Sequence, residues 1–298
     1  MTAPQSVMID VPATSANLGP GFDSLGVALD WIGRYVVTAS DESVAAPDGP
    51  IEQMTVSAAL TLYQHAGVEP PAGLSVAYEA DIPVGRGLGV SASARAAGLI
   101  AADALIEGGH SLEDLVPLAV RLEGHGDNII PAMFGGLRVV VEDDDGVMHL
   151  GIAPPDDLEL ALLVPEFSMP TEESRKRLPE RLTRNQAVHN IGRAALLVGA
   201  LTQGQYGLLG TATEDVLHQP ARSTLYPAMY PLFQAARDAG AHGVYLSGGG
   251  STIAALTDPK VSQEVAGAMR EVAAAHGLTA ETRVCRMSAV GATLVSSE

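Results

Sequence analysis

The sequence predicts an α+β fold divided into two domains, and three observations carry that reading. At 298 residues the chain exceeds the size at which a single hydrophobic core stops growing. Its hydrophobic content of 47%, with charges of both signs, describes an ordinary folded chain and argues against disorder. Strand-like and helix-like stretches intermingle without the strict alternation of a parallel βαβ sheet. No internal repeat or low-complexity tract interrupts them. The stretch 143–155 mixes acids, glycine and proline, and is expected to separate an N-terminal domain, 1–155, from a C-terminal one, 156–298.

In chain order, 7–11 reads as a first strand. It runs into the turn-rich segment Pro12-Ala-Thr-Ser-Ala-Asn-Leu-Gly-Pro-Gly-Phe-Asp23. Asn17 and Asp23 are its polar groups, held on a loop stiffened by Gly19, Pro20 and Gly21. That loop is either a set of Asx turns or a binding lip. Residues 34–40 form another strand, 41–50 an exposed acidic connection, and 54–65 a helix. Leu74, Val76 and Tyr78 alternate as in a half-buried strand. Next comes Asp81-Ile-Pro-Val-Gly-Arg-Gly-Leu-Gly-Val-Ser-Ala-Ser-Ala-Arg-Ala96, a loop with glycine at every second position and an Ala-rich helix behind it. Leu99, Ala102, Leu105 and Ile106 give that helix one buried face. A second amphipathic helix covers 112–122, with Ser111 as N-cap and Glu113 and Asp114 in its first turn. It ends at Glu123-Gly-His-Gly-Asp-Asn128, polar groups set between glycines. Pro131 and Gly135-Gly136 lead into the strand 137–141.

The second half opens with a buried strand, 158–164. Thr171 is expected to cap a short helix, in which Arg175, Lys176 and Arg177 form the densest cationic spot of the chain. Such a spot is either a solvated face or an anion site. Helices follow at 186–202 and 227–239, with Arg222 just after His218-Gln-Pro220 between them. A strand at 242–246 runs through Ser247-Gly-Gly-Gly-Ser251 into a strand at 252–256. A helix over 261–276 and strands at 282–284 and 292–295 close the chain.

Charge narrows the function. With Lys+Arg 17 against Asp+Glu 35, the formal net charge is −18, which repels nucleic acid and anionic membrane. A small anionic substrate would need local arginines. The single cysteine, Cys285, excludes an internal disulfide and a cysteine-based metal cluster, and is expected to pack inside a C-terminal strand. Without a basic leader or a membrane-length apolar run, the protein is expected to be soluble and cytoplasmic.

The chemistry concentrates at the glycine loop. Alternate glycines reach φ > 0 and let backbone approach a ligand. The helix start behind them offers unpaired N–H groups and the positive end of its dipole, a setting suited to phosphate. The terminal lysine of the common phosphate loop is missing, and the chain has only Lys176 and Lys260. Phosphoryl transfer also needs a metal-holding carboxylate and groups that place the nucleophile. Glu123, with Ser91 as a second oxygen, suits the first need, and Asp127 and Asn128 the second. Taken singly, each has a plain structural alternative as a helix end, a turn or a hairpin.

Together these residues are similar to a known family. The first loop extended to Gly26, Gly85-Arg-Gly-Leu-Gly89 with Ser91, Glu123-Gly-His-Gly-Asp-Asn128, Thr171-Glu-Glu-Ser-Arg175, Asn190-Ile-Gly-Arg-Ala-Ala-Leu-Leu197 and Leu246-Ser-Gly-Gly-Gly250 resemble, in order, the homoserine kinases of the GHMP kinase superfamily. The resemblance implies an S5-like N-terminal domain, a ferredoxin-like C-terminal domain and an active site between them. It implies transfer of the γ-phosphoryl of ATP, with Mg²⁺, to the hydroxyl of L-homoserine in threonine biosynthesis. By the same resemblance Pro83, Gly85, Arg86, Gly87, Leu88, Gly89, Ser91 and Ser93 would wrap the ATP phosphates, and Ser91 and Glu123 would hold the metal. Asn17, Asp23, His125, Asn128, Thr171, Arg175, Arg222 and Gly248 would bind the acceptor, with Asp23 on its ammonium and the arginines on its carboxylate. Asn128, Glu123 and Ser91 would be the catalytic set, acting by position and charge rather than as a base. The chain departs from the family pattern at Val90, Ser93, Gly126, Gly249 and Ser251, where the family has Ser, Ala, Pro, Ala and Pro. A kinase of another amino alcohol or hydroxy metabolite, or a silent homologue that binds nucleotide or amino acid, are the alternatives. Partners are expected to be small molecules, with a homodimer left open.

Overall fold

A long antiparallel hairpin starts the molecule, made of β1 (Ser6–Ala16) and β2 (Leu25–Ser40). Val7, Ile9 and Val11 alternate inward along β1, as a half-buried strand requires. From Val11 to Ala16 every residue is buried, so the strand continues through a stretch whose sequence reads as loop. The computed structural model describes residues 5–169 and 171–297, and only the backbone of 171 and 172. The helix α1 (Pro50–Ala66) follows, then β3 (Gly73–Glu79), which pairs with β2.

Beyond the glycine loop lie α2 (Val90–Leu105) and α3 (Leu112–Glu123). Ser111 caps α3 in a reciprocal box with Asp114, as its sequence predicts. The cluster after Glu123 is not loop throughout, because α4 (Gly126–Phe134) starts inside it. Its leading glycine and internal Pro131 hide the helical signal, and burial of Ile129, Ile130, Ala132 and Met133 supplies the missing stability. Then β4 (Leu137–Asp143) turns back on β5 (Gly146–Ile152).

The second sheet begins with β6 (Glu159–Pro165). Next come α5 (Thr171–Lys176), α6 (Arg184–Gln203), and the short α7 (Leu209–Ala212) and α8 (Gln219–Ser223). After α9 (Met229–Asp238) the chain forms the hairpin of β7 (Gly243–Leu246) and β8 (Ile253–Thr257). It ends with α10 (Ser262–Ala275), β9 (Ala280–Arg286) and β10 (Thr293–Ser297). This sheet runs β7-β8-β6-β9, all antiparallel. Leu160 and Leu162 of β6 join the large core, while Ala161 and Leu163 face the smaller core shared with α9 and α10. Burial on both faces explains the unbroken apolar run of β6. Cys285 is buried and free in β9, as its apolar setting predicts. The last strand, β10, leaves this sheet and pairs with β1, so the first sheet reads β10-β1-β2-β4-β5. No helix among the described residues is long and apolar enough to cross a membrane.

Candidate active site

Between the two sheets lies a cleft of about 350 Å³, lined by the 17–23 loop, the glycine loop, the start of α2, the junction of α3 and α4, α5, α8 and the β7–β8 turn. Gly85, Gly87 and Gly89 stand at φ 70, 76 and 66, a region that side chains avoid. Space alone also demands glycine here. A Cβ on Gly87 would lie 2.1 Å from the Ser247 carbonyl oxygen, and one on Gly89 would lie 1.8 Å from Thr14 Oγ1. The second half of the chain grips this loop. Ser247 Oγ donates to the Gly87 carbonyl at 2.6 Å, Ser168 Oγ to that of Gly85 at 3.0 Å, and the Thr252 amide to that of Arg86 at 3.0 Å. No side chain caps α2, so its first-turn amides are free for a ligand in the cleft.

Leu88 and Ser91 line the cleft with the glycines. Three residues of the expected phosphate set do not. Ser93 points into the core, where its hydroxyl meets Tyr35 Oη at 2.7 Å and donates to the Val90 carbonyl at 2.9 Å, because it sits two positions past Ser91 and therefore across the helix. Arg86 is a strut across the molecule, donating from Nε to Pro165 at 2.9 Å and from Nη2 to Glu166. Pro83 is not among the lining residues.

Ser91 and Glu123 do meet. Ser91 Oγ donates to Glu123 Oε1 at 2.7 Å, and Arg95 Nη1 pairs with Oε2. The Glu123 side chain is 6% exposed. A hydroxyl and a carboxylate converging on the cleft are hard oxygen donors of the kind Mg²⁺ accepts, with water filling the other positions. The residues present fit that ion. Arg95 escaped the sequence reading, although its place four residues beyond Ser91 puts both on one helix face.

At the start of α4 the amide of Asn128 is oriented from both ends. Its Oδ1 accepts from Thr14 Oγ1 at 2.8 Å and its Nδ2 faces Asp127 Oδ1 at 3.2 Å. Asp127 is buried and bonded to His125 Nδ1. Burial disfavours the charged imidazole of His125, but the hydrogen bond and charge of Asp127, with Glu123 behind, outweigh it and hold His125 above its ordinary value. Ligand atoms of Asp23, His125 and Asp127 all lie within 4.8 Å of one another.

The opposite wall is cationic. Arg175 grips Asp23 through two parallel bonds of 2.7 and 2.9 Å. Hydrogen bonding to Asp23 raises the Arg175 pKa above its usual value. Arg222 is 1% exposed and lines the same cleft. Its Nε donates to Ser174 Oγ at 2.6 Å, and its Nη1 to the Gly248 carbonyl at 3.0 Å and to His218 Nδ1 at 2.9 Å. Burial pulls the Arg222 pKa down to about 10, with the Arg175 charge adding to the effect. His218 is fully buried and is pushed down to about 4 by desolvation. Its geometry agrees with the neutral ring, because Nδ1 accepts from Arg222 while Nε2–H donates to the Gly19 carbonyl at 2.7 Å. Phe22 lies against both arginines, 5.3 and 5.5 Å from ring centre to guanidinium carbon. Asn17 fixes the loop, donating from Nδ2 to the Gly248 carbonyl at 2.9 Å and accepting the Asp23 amide at 3.0 Å. Asn17, Leu18 and Asp23 all have positive φ, at 70, 46 and 55, a strain that such anchoring sustains. The Thr171 side chain, expected here both as a cap and as a substrate ligand, lies outside the described residues.

Known proteins resemble this chain along most of its length. Positions 53–136 match the GHMP kinases N terminal domain and positions 197–275 the GHMP kinases C terminal domain. A homoserine kinase of Desulfitobacterium hafniense is 37% identical over 297 residues, covering 97% of this chain and 100% of its own. One from Thermosynechococcus vestitus is 37% identical over 298 residues, covering 96% and 98%. The crystal structure of homoserine kinase from Cytophaga hutchinsonii superposes with a TM-score of 0.88 at 29% identity, over 99% of both chains.

Proposed function

The chain belongs to the homoserine kinase family of the GHMP kinases, and from that premise we propose that it transfers the γ-phosphoryl group of ATP to the hydroxyl of L-homoserine. The observation that supports the acceptor is the facing set of Asp23, Arg175 and Arg222 in one cleft with the glycine loop. An amino acid is a zwitterion. Asp23 suits its ammonium, and the two guanidiniums suit its carboxylate in a planar fork. The Asp23–Arg175 pair lays a negative and a positive charge side by side, the complement of that zwitterion.

In this reading the glycine loop and the first turn of α2 hold the phosphates through backbone amides. Ser91 and Glu123 would hold Mg²⁺, which would supply charge neutralisation for the phosphates. Thr14 and Asp127 fix the Asn128 amide so that Nδ2 is directed into the cleft wall rather than free to turn. Asn128 cannot accept a proton, and Asp127 is engaged by His125. As the resemblance implies, the hydroxyl proton goes to the transferring phosphate, and the protein contributes position and charge. In this reading the phosphate-holding groups lie before residue 155 and the carboxylate clamp after it.

The test is coupled ADP release from Mg-ATP with a panel of homoserine, serine, threonine and alcohols without an amino-acid group. Turnover confined to homoserine is expected. Turnover with a plain alcohol would remove the roles given to Asp23, Arg175 and Arg222. Nucleotide binding without turnover on any acceptor would leave a silent homologue.

A further inference from the structure

Both oxygens of the Glu123 carboxylate already have protein partners. Oε1 accepts from Ser91, and Oε2 pairs with Arg95, one turn further along α2. Arg95 lines the cleft together with Gly87, Gly89 and Glu123, and its side chain keeps 25% of its surface exposed. Of its five donors only Nη1 is engaged among the described residues.

A polyphosphate entering here meets a strongly acidic protein and one buried carboxylate directly beside the cradle. Positive charge is needed at that spot, and the loop has no lysine. Arg86 is turned away, with its guanidinium on the carbonyls of Pro165, Val84 and Glu166. Arg175 and Arg222 are already engaged, Arg175 by both oxygens of Asp23 and Arg222 by Ser174, His218 and the Gly248 carbonyl. Among the arginines that line the cleft, Arg95 is the one carried on α2, the helix directly behind the glycine loop. Val90 has also removed a hydroxyl that the family pattern places in this cradle.

We infer that Arg95 is a nucleotide-binding residue of this chain, donating to a phosphate oxygen beside the glycine loop and sharing Glu123 with the divalent cation. The inference rests on the kinase reading and adds a residue to it. Sharing has a consequence fixed by linkage. Two cations drawn to one carboxylate weaken each other's hold on it, whereas a phosphate that engages Arg95 frees Glu123 for the metal.

The test is calorimetry on the full chain, comparing wild type with Arg95→Gln and Arg95→Lys. The titrants are ATP in EDTA, adenosine, and Mn²⁺ alone. Arg95→Gln is expected to weaken metal-free ATP about tenfold, the effect of one lost charge-assisted contact. It should leave adenosine unchanged and tighten Mn²⁺ several-fold, while Arg95→Lys keeps most of the ATP affinity. Equal weakening of ATP and adenosine would mean a merely structural role and overturn the inference, as would unchanged ATP binding. Failure of the wild type to bind ATP under any condition would overturn the kinase reading itself.

Discussion

At the scale of single residues, His218 turns burial into a pH dependence. Its ordinary value is 6.5 and its folded value about 4. Between these, the unfolded chain takes up a proton that the folded chain refuses. Stability therefore falls as pH falls through that window, by on the order of 3 kcal/mol for the full shift. Urea unfolding from pH 7 to pH 4 should show the loss. His218→Gln, whose amide can still donate to Gly19 and accept from Arg222, should flatten it. An unchanged slope in the variant would assign the dependence to other groups. Glu123→Gln keeps the shape of the metal ligand and removes its charge, and kcat should fall about 10³-fold, the order of several kcal/mol of lost charge stabilisation. Wild-type kcat at saturating Mg²⁺ would sink the metal assignment. Two departures from the family pattern find local reasons here. Ser93 bonds Tyr35 inside the core, and Ser251 Oγ donates to the Phe167 carbonyl at 2.6 Å. Both hydroxyls hydrogen-bond within the protein, and neither residue lines the cleft.

At the scale of elements, what the sequence revealed depends on where each element's stability comes from. The α3 helix carries its own signal, a cap, an acidic first turn and a buried stripe, and reads correctly. The α4 helix carries glycine first and proline inside, and forms because its apolar residues are enclosed by neighbours that no local pattern reveals. Asn17, Asp23, Ser91, Glu123, Asn128, Arg175 and Arg222, which the structure brings to one cleft, were singled out through the resemblance of their motifs to the homoserine kinases, since each alone has a plain structural alternative. Arg95, Ser174 and His218 were not, because each acts through another side chain brought near only by folding. The start of α4 allows a further prediction. Proline is ordinarily welcome as the first residue of a helix, and the family has it at this position. Here a Cβ on Gly126 would lie 2.6 Å from Val140 Cγ1, and the Gly126 amide donates to Glu142 Oε1 at 2.6 Å. Gly126→Pro should therefore destabilise by about 1–3 kcal/mol, the usual cost of overpacking, and Val140→Ala should recover part of it. A higher melting temperature in the single variant would show that the loop simply relaxes.

At the scale of the whole molecule, the order of motifs along the chain indicates a kinase of two lobes, but not that the chain's end ties them together. Nothing in the weakly alternating 293–297 segment says which sheet it joins. In the structure β10 pairs with β1, residues Val7 to Asp10 facing Thr293 to Ser297. The lead-in to β10 braces the base of the site helix. Ser288 exchanges bonds with Ala28 and Gly136 at 2.8 and 2.7 Å, and the Ala292 amide donates to the carbonyls of Ala132 and Met133 at the end of α4. The other end of α4 carries Asp127 and Asn128. Removing 293–298 should cost stability, on the order of 3 kcal/mol for a lost strand at about 1 kcal/mol per backbone bond, yet leave kcat within about twofold because the brace survives. Removing 288–298 should cost more stability and also lower kcat tenfold or more, as Asn128 loses its fixed position. Thermal melts and saturating-substrate rates on the two truncations separate these effects. Equal kcat for both would mean that α4 holds the site without help from the end of the chain.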